Sequence, residues 1–212
     1  MKIEIDFVKK PEDLTPWSGL TVLLPGPEPE EHLARCRRAV SRTGAALVTA
    51  PFVRSGQRGI ACLTPEGETF QPMCFLSRRE RELYSPGTDV QCVEMPFGRM
   101  ALCCGEDLFQ PQFARLAALK GCVLLVASLP CDGGMPAETV AWGAVQANCL
   151  PVVLAQPDGG RLLLPCDMTE DGSGLGRSSF NTEELPRAYA AFPVFDSFNA
   201  AFFERYGEVL KG

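Results

Sequence analysis

Short apolar runs alternate with amphipathic runs along this 212-residue chain. Apolar runs of roughly four to eight residues are typical of buried strands, and apolar residues recurring every three or four positions are typical of helices. Two of the helical runs are followed by a glycine, Gly44 and Gly121, where a helix commonly ends. The pattern predicts helices over residues 29–43, 111–120 and 137–148, and strands over 20–24, 45–50, 59–63, 69–76, 89–95, 99–104, 122–128, 151–155 and 161–165.

Several of these strands are apolar throughout, which is typical of strands covered on both faces. Strands and helices alternate, so we expect an α/β layered fold in a single domain over residues 1–212. The N-terminal residues MKIEIDFVKK alternate in polarity, which predicts an edge strand rather than a signal peptide. Residues 167–185 are rich in Gly and Ser and predict a long loop, and the C-terminal tail, 186–212, carries aromatic residues at helical spacing.

The composition narrows the classes of function. The net charge is −6 with acidic and basic residues mixed, whereas nucleic-acid binding needs a clustered basic face, so no nucleic-acid partner is expected. No apolar run reaches the roughly 20 residues that span a bilayer, so no membrane partner is expected. The ten cysteines lack the spacing of zinc sites, and we expect neither a metal nor a cofactor. Without a secretion signal, a cytoplasmic location is expected.

His32 is the single histidine of the chain and lies in a run rich in charged residues. We predict that it is a surface residue of the first helix. A Ser-His or Cys-His catalytic site would have to include it, and no serine or cysteine motif points to it.

One stretch, Met100–Arg115 (MALCCGEDLFQPQFAR), combines a buried strand, a sharp turn and a helix that opens after Pro111. Many hydrolases present a nucleophile on such a turn. Cys103 and Cys104 both lie close to it and are candidate thiol nucleophiles.

This stretch resembles the nucleophile segment of the nitrilase, or carbon–nitrogen hydrolase, superfamily, and further pieces match in order over about residues 20–156. These pieces are Arg42–Phe52, Ala61–Glu68, Glu82–Gly87 and Gly121–Ser128. The resemblance implies an α-β-β-α sandwich that often pairs sheet-to-sheet in dimers, so a homo-oligomer is expected. It also implies cleavage of an amide or nitrile by a Glu-Lys-Cys set, in which carboxylate, ammonium and thiolate cooperate.

The three expected positions hold other residues in this chain. Phe52 follows Pro51 where the resemblance implies the glutamate base, and an apolar ring is expected to fill that space. The lysine is implied near Cys74, but no lysine occurs between residues 10 and 120. Counting back from Pro111 and Arg115 puts Gly105 at the nucleophile position.

Cys104 is one residue early, and a shift of one residue turns a side chain to the opposite face of a strand. A bulge at Gly105 would restore it to the site. Glu82 matches an auxiliary glutamate of the family, and it is interpreted either as a carboxylate facing the pocket or as a surface residue of a charged turn.

Two hypotheses of function follow. The first is a non-catalytic protein that binds a small amide- or carboxylate-bearing ligand or a partner protein, or that serves in an assembly through its tail and Trp142. The alternative is a diverged amidase that uses Cys104 as nucleophile, with Glu82, Glu106 or Asp107 as base. Acidic neighbours disfavour a thiolate, which counts against the alternative.

Overall fold

Two β-sheets and three α-helices are present in a computed structural model that describes residues 1–16, 19–26, 32–129, 137–166, 168, 177–186 and 188. The helices in these ranges are α1 (His32–Thr43), α2 (Pro111–Leu119) and α3 (Ala137–Asn148). The strands are β1 (Lys2–Val8), β2 (Leu20–Leu23), β3 (Ala46–Val48), β4 (Phe52–Arg54), β5 (Gln57–Thr64), β6 (Gly67–Pro72), β7 (Cys92–Met95), β8 (Gly98–Cys104), β9 (Leu124–Ser128), β10 (Val152–Gln156), β11 (Gly159–Leu163) and β12 (Arg177–Asn181).

The first sheet has seven strands in the order β12-β1-β2-β3-β5-β4, with β6 also paired to β5. Its centre, β1-β2-β3, is parallel, and the outer pairings are antiparallel. The second sheet has five strands in the order β11-β10-β9-β8-β7. Its three central strands are parallel, and β7 and β11 close its edges as antiparallel hairpins.

Three clusters of buried residues define the layers. One cluster lies between the two sheets and includes Ile3 and Val22 of the first sheet and Leu102 and Val126 of the second. A second cluster packs α2 and α3 on the outer face of the second sheet. A third packs α1 on the outer face of the first sheet. The order of layers is therefore α-β-β-α, which confirms the predicted fold class.

The three helices and most strands occur where the hydrophobic pattern predicts them. The edge-strand prediction for the N-terminus is wrong, because β1 lies between β12 and β2. The predicted loop 167–185 contains β12, which the pattern missed. The pattern also missed β4, which joins β5 through Ser55 and Gly56; both residues have positive φ, as a tight hairpin turn requires. The predicted tail helix lies outside the described residues.

Among the described residues, no helix is both long enough and apolar enough to cross a membrane.

Candidate functional site

The turn after β8 stands at the centre of the candidate site. β8 pairs with β9 in an unbroken parallel register that ends at Cys104 opposite Ser128. Gly105 then adopts φ +57, a short 3-10 helix covers Gly105–Phe109, and α2 starts at Pro111. The backbone therefore makes the sharp strand-to-helix turn that the sequence predicts, with its left-handed residue at the position counted as the nucleophile.

Met73 occupies the space that a side chain at residue 105 would enter. A Cβ at Gly105 would lie 3.0 Å from Met73 Sδ and 3.9 Å from Met73 Cε. Met73 is 2% exposed and belongs to the cluster between the sheets. A thioether has neither a transferable proton nor a charge at neutral pH. The position that would carry a nucleophile is thus filled by an apolar group from the residue that follows β6.

The two cysteines before Gly105 point to opposite faces of the second sheet. Cys104 lies in the cluster between the sheets, and Cys103 lies under α2 and α3. Both are fully buried. The regular β8–β9 ladder runs through Cys104 without the bulge that would turn its thiol toward the turn. Burial also raises the pKa of the Cys103 thiol well above its ordinary value, which keeps it protonated.

Asp107 fixes the chain segment that carries Met73. Its Oδ1 accepts hydrogen bonds from the backbone N–H groups of Cys74 (2.9 Å) and Phe75 (2.7 Å). The Met73 N–H donates to Arg58 O (2.7 Å), and the Met73 carbonyl accepts from Gly87 N–H (2.8 Å). These contacts hold the backbone on both sides of Met73, so the thioether is held against Gly105.

Asp107 is a fully buried carboxyl group. Burial raises its pKa to about 7, and the nearby Glu80 and Glu106 act in the same direction, although the two backbone N–H donors lower it. The sequence suggested Asp107 only as an alternative base. Its distance along the chain from Cys74 gives no sign of the contact, which depends on how the two sheets stack.

Glu82 does not face the interior. Its side chain is exposed on the short 3-10 helix Glu80–Glu82. The inward carboxylate of this segment is Glu80, whose Oε1 accepts from Arg58 Nη1 (3.1 Å) and whose Oε2 accepts from Ser77 Oγ (2.7 Å). Of the two interpretations of Glu82, the structure agrees with the surface residue of a charged turn, and the inward-pointing carboxylate is Glu80, two residues earlier.

Phe52 is buried, but its ring is not the group in front of Gly105. It packs against Phe70, with ring centroids 5.3 Å apart, in the cluster under α1. Met73 is the contact found within 4 Å of a Cβ at residue 105. The expected filling of this space by the Phe52 ring is not found, and Met73 lies there instead.

His32 is not the surface residue predicted. It is 9% exposed, and its Nε2 lies 3.8 Å from the sulfur of Cys36 one turn along α1. Burial lowers the pKa of His32 and raises that of Cys36 to about 12, so both groups are neutral at pH 7. A neutral thiol of this kind is a core residue rather than a nucleophile.

An open cleft of about 550 Å³ lies on the outer face of the first sheet, between α1 and the β5–β6 turn. Its lining includes Arg37, Ser41 and Glu66–Glu68. The carboxylate of Glu68 already binds Arg37 (2.6 Å) and Arg54. None of the lining residues belongs to the turn at Gly105.

No family model matches the sequence, and no curated protein matches it. Solved structures do match. The carbon–nitrogen hydrolase from Helicobacter pylori G27 superimposes with a TM-score of 0.73 at 14% identity, covering 96% of this chain and 98% of that one. Nit3 of Saccharomyces cerevisiae, a member of branch 10 of the nitrilase superfamily, superimposes with a TM-score of 0.70 at 16% identity. The match covers 93% of this chain and 97% of that one. This chain has the nitrilase fold.

A third nitrilase-fold structure shows the chemistry that a cysteine performs in such a protein. It is a mutant of the amidase from Nesterenkonia sp. AN1, with the acetamide moiety of fluoroacetamide added covalently at the active-site cysteine. Its TM-score is 0.67 at 15% identity, covering 97% of both chains. At such identities the likeness establishes the nitrilase fold, and the side chains at the turn decide what this chain can do.

Proposed function

We propose that this chain is a non-catalytic member of the carbon–nitrogen hydrolase superfamily that acts by binding or assembly. The observation that carries the proposal is the contact at Gly105, where the nucleophile position has no side chain and Met73 Sδ would lie 3.0 Å from a Cβ placed there. A hydrolase of this kind needs a nucleophile that reaches the substrate carbon. Here that space belongs to the hydrophobic core.

The other two groups of the set are missing as well, which supports the same proposal. Phe52, at the position of the base, can neither accept nor donate a proton and packs against Phe70. No lysine occurs between Lys10 and Lys120 to stabilise a developing negative charge. Arg58, whose carbonyl accepts from the Met73 N–H, is already paired with Glu80 at 3.1 Å.

The geometry does not favour a diverged hydrolase that uses Cys104. A thiol must be reachable and must ionise to attack, which usually needs positive charge or a helix N-terminus beside it. Cys104 is fully buried between the sheets, whereas Glu82, its candidate partner, is on the surface. The catalytic roles of Cys104 and Glu82 stay predictions without support from the arrangement.

Turnover assays with simple amides, nitriles and carbamoylated amines test the proposal. We expect the wild-type chain to release no ammonia above the buffer background. Cys104→Ala is compared with Cys62→Ala, because Cys62 is a second buried cysteine of the same cluster. Turnover in wild type and in Cys62→Ala that disappears in Cys104→Ala would overturn the proposal.

Of the two proposed modes of action, binding and assembly, assembly through α2 and α3 has more support. Leu116 and Leu119 of α2 and Trp142 of α3 are 37%, 48% and 41% exposed. Arg115 Nη2 of α2 donates to Ala147 O of α3 at 2.9 Å, which joins the two helices. Exposed large apolar groups mark interaction surfaces. Because the sequence resemblance implies a homo-oligomer, we propose a second copy of this chain as the occupant.

Sedimentation velocity tests this assembly. We expect wild type to sediment as a dimer and the Trp142→Gln/Leu119→Gln variant to sediment as a monomer with an unchanged circular dichroism spectrum. Leu83→Gln is the control, because Leu83 is 64% exposed but lies outside the two helices. A monomeric wild type, or an equal effect of Leu83→Gln, would contradict the assembly.

A further inference from the structure

Cys92 and Cys122 bring their sulfur atoms into contact on the helix side of the second sheet. The two Sγ atoms are 3.5 Å apart. Cys92 begins β7, and Cys122 follows α2 just before β9, so the pair spans β8 from either side. The residue that β8 places opposite Cys92 is Ala101, whose small side chain leaves room for the two sulfurs above the strand.

We propose that Cys92 and Cys122 form a reversible disulfide when the protein meets a peroxide. A disulfide has sulfur atoms about 2.05 Å apart, so the two must approach by about 1.5 Å. The structure places both on backbone that can supply this movement. β7 is a four-residue edge strand, and Cys122 lies in the turn that Gly121 opens with φ +76.

Polar contacts already hold the two segments together. Lys120 Nζ donates to Asp89 Oδ1 (2.6 Å) and to Val90 O (2.8 Å), which ties the end of α2 to the residues before β7. Arg99 Nη1 donates to Lys120 O (2.7 Å) from the other side. These contacts limit how far the sulfur atoms can separate, so the reduced pair is held ready for bond formation.

The two thiols differ in access, and this sets the order of the reaction. Cys92 is half-buried, whereas Cys122 is 2% exposed. Peroxide reacts at Cys92, whose sulfur gains one oxygen as sulfenic acid while the peroxide is reduced to water. The Cys122 sulfur then attacks the Cys92 sulfur, the S–S bond forms, and the hydroxyl leaves as a second water with the Cys122 proton. One peroxide is consumed, and two thiols become one disulfide.

The cross-link would enclose β8, the turn at Gly105 and α2 within one covalent loop. Closing such a loop restricts the unfolded chain more than the folded chain. We therefore expect oxidation to raise the melting temperature by about 5 °C or more. The effect is independent of the proposed function, because neither sulfur belongs to the turn.

The test uses a Cys166→Ser background, since Cys166 is an exposed cysteine that can react on its own. This variant retains nine of the ten cysteines. After treatment with hydrogen peroxide and removal of the excess, thiols are counted in guanidinium chloride. We expect nine thiols to become seven, full recovery with dithiothreitol, and no loss when Cys92→Ser is added.

Mass spectrometry locates the bond. Cys92 is the single cysteine of its tryptic peptide, residues 82–99, whereas the peptide 121–161 holds Cys122 with Cys131 and Cys149, so fragment ions must assign the second partner. A bond between Cys92 and Cys122 supports the proposal. Over-oxidised Cys92 without a bond, or a bond to another cysteine, overturns it. Cys122→Ala should likewise show no loss of thiols, and Cys92→Ser keeps the test decisive if this buried variant fails to fold.

Discussion

The contact between Gly105 and Met73 gives a prediction that needs no substrate. Gly105→Ala adds one methyl group at φ +57, and that methyl would lie 3.0 Å from Met73 Sδ. Two costs follow, one from the left-handed backbone and one from crowding in the core. They can be separated, because Gly121 has a similar φ of +76 with nothing within 4 Å of the added methyl.

A residue with a Cβ pays about 1–2 kcal/mol in the left-handed region. Overpacking a core costs about 1–3 kcal/mol, and the flexible methionine side chain favours the lower end. We therefore expect Gly105→Ala to lower the free energy of unfolding by about 2–3 kcal/mol, against about 1–2 kcal/mol for Gly121→Ala. The difference of about 1 kcal/mol measures the contact with Met73.

Urea unfolding followed by circular dichroism measures both variants, and a double-mutant cycle adds Met73→Ala. That change alone should cost about 2–5 kcal/mol, since Met73 is 2% exposed. Together with Gly105→Ala it should cost about 1 kcal/mol less than the sum, because the new methyl enters the vacated space. Equal costs for the two glycine variants, or strict additivity, would refute the inference that Met73 fills the nucleophile position.

Three further predictions concern the same region. Burial raises the pKa of Asp107 from 3.8 to about 7. This carboxyl group therefore ionises at a lower pH in the unfolded chain than in the folded chain, so the free energy of unfolding falls as the pH rises from about 4 to about 7. Asp107→Asn should remove this fall of up to about 4 kcal/mol. Urea unfolding of the variant and of wild type at several pH values measures the effect, and the same dependence of the free energy of unfolding on pH in both proteins would contradict it. Gly105→Cys should add a thiol but should not lead to ammonia release from amides, because Phe52 and the missing lysine leave the thiol without a base and without a positive charge. Turnover comparable to that of an active amidase would contradict this. Glu80→Gln should cost about 1–2 kcal/mol in the same unfolding assay, whereas Glu82→Gln should stay within about 0.5 kcal/mol, and the reverse order would restore Glu82 as the inward residue.

The local pattern of hydrophobic and polar residues was enough to predict the α/β layers and the turn after β8. The apolar strands and the stops at Gly44 and Gly121 predict most elements, because each depends on residues near it in the chain. The sharp turn predicted after the strand is also present, at Gly105, the residue counted back from Pro111. Residues that are close together in the sequence determine these features.

Features that depend on distant segments could not be predicted in this way. β12 has a largely polar sequence, and Phe180 becomes fully buried because the strand pairs with β1. The filling of the space at Gly105 by Met73 follows from how the two sheets stack, and the inward turn of Glu80 follows from its pairing with Arg58 of β5. His32 lies in a charged run, and its burial likewise depends on where α1 meets the first sheet.

The pairing of β1 with β12 has a consequence for the nascent chain. β1 covers Lys2–Val8, but its second hydrogen-bonding edge is closed only by Arg177–Asn181. During synthesis the first sheet therefore carries an open edge until some 170 residues later, and open edges pair readily with other chains. The step that completes this sheet is also among its longest-range contacts, so it should be slow relative to the local hairpins. In the period between the synthesis of β1 and that of β12, this edge of β1 is therefore open to pairing with other chains.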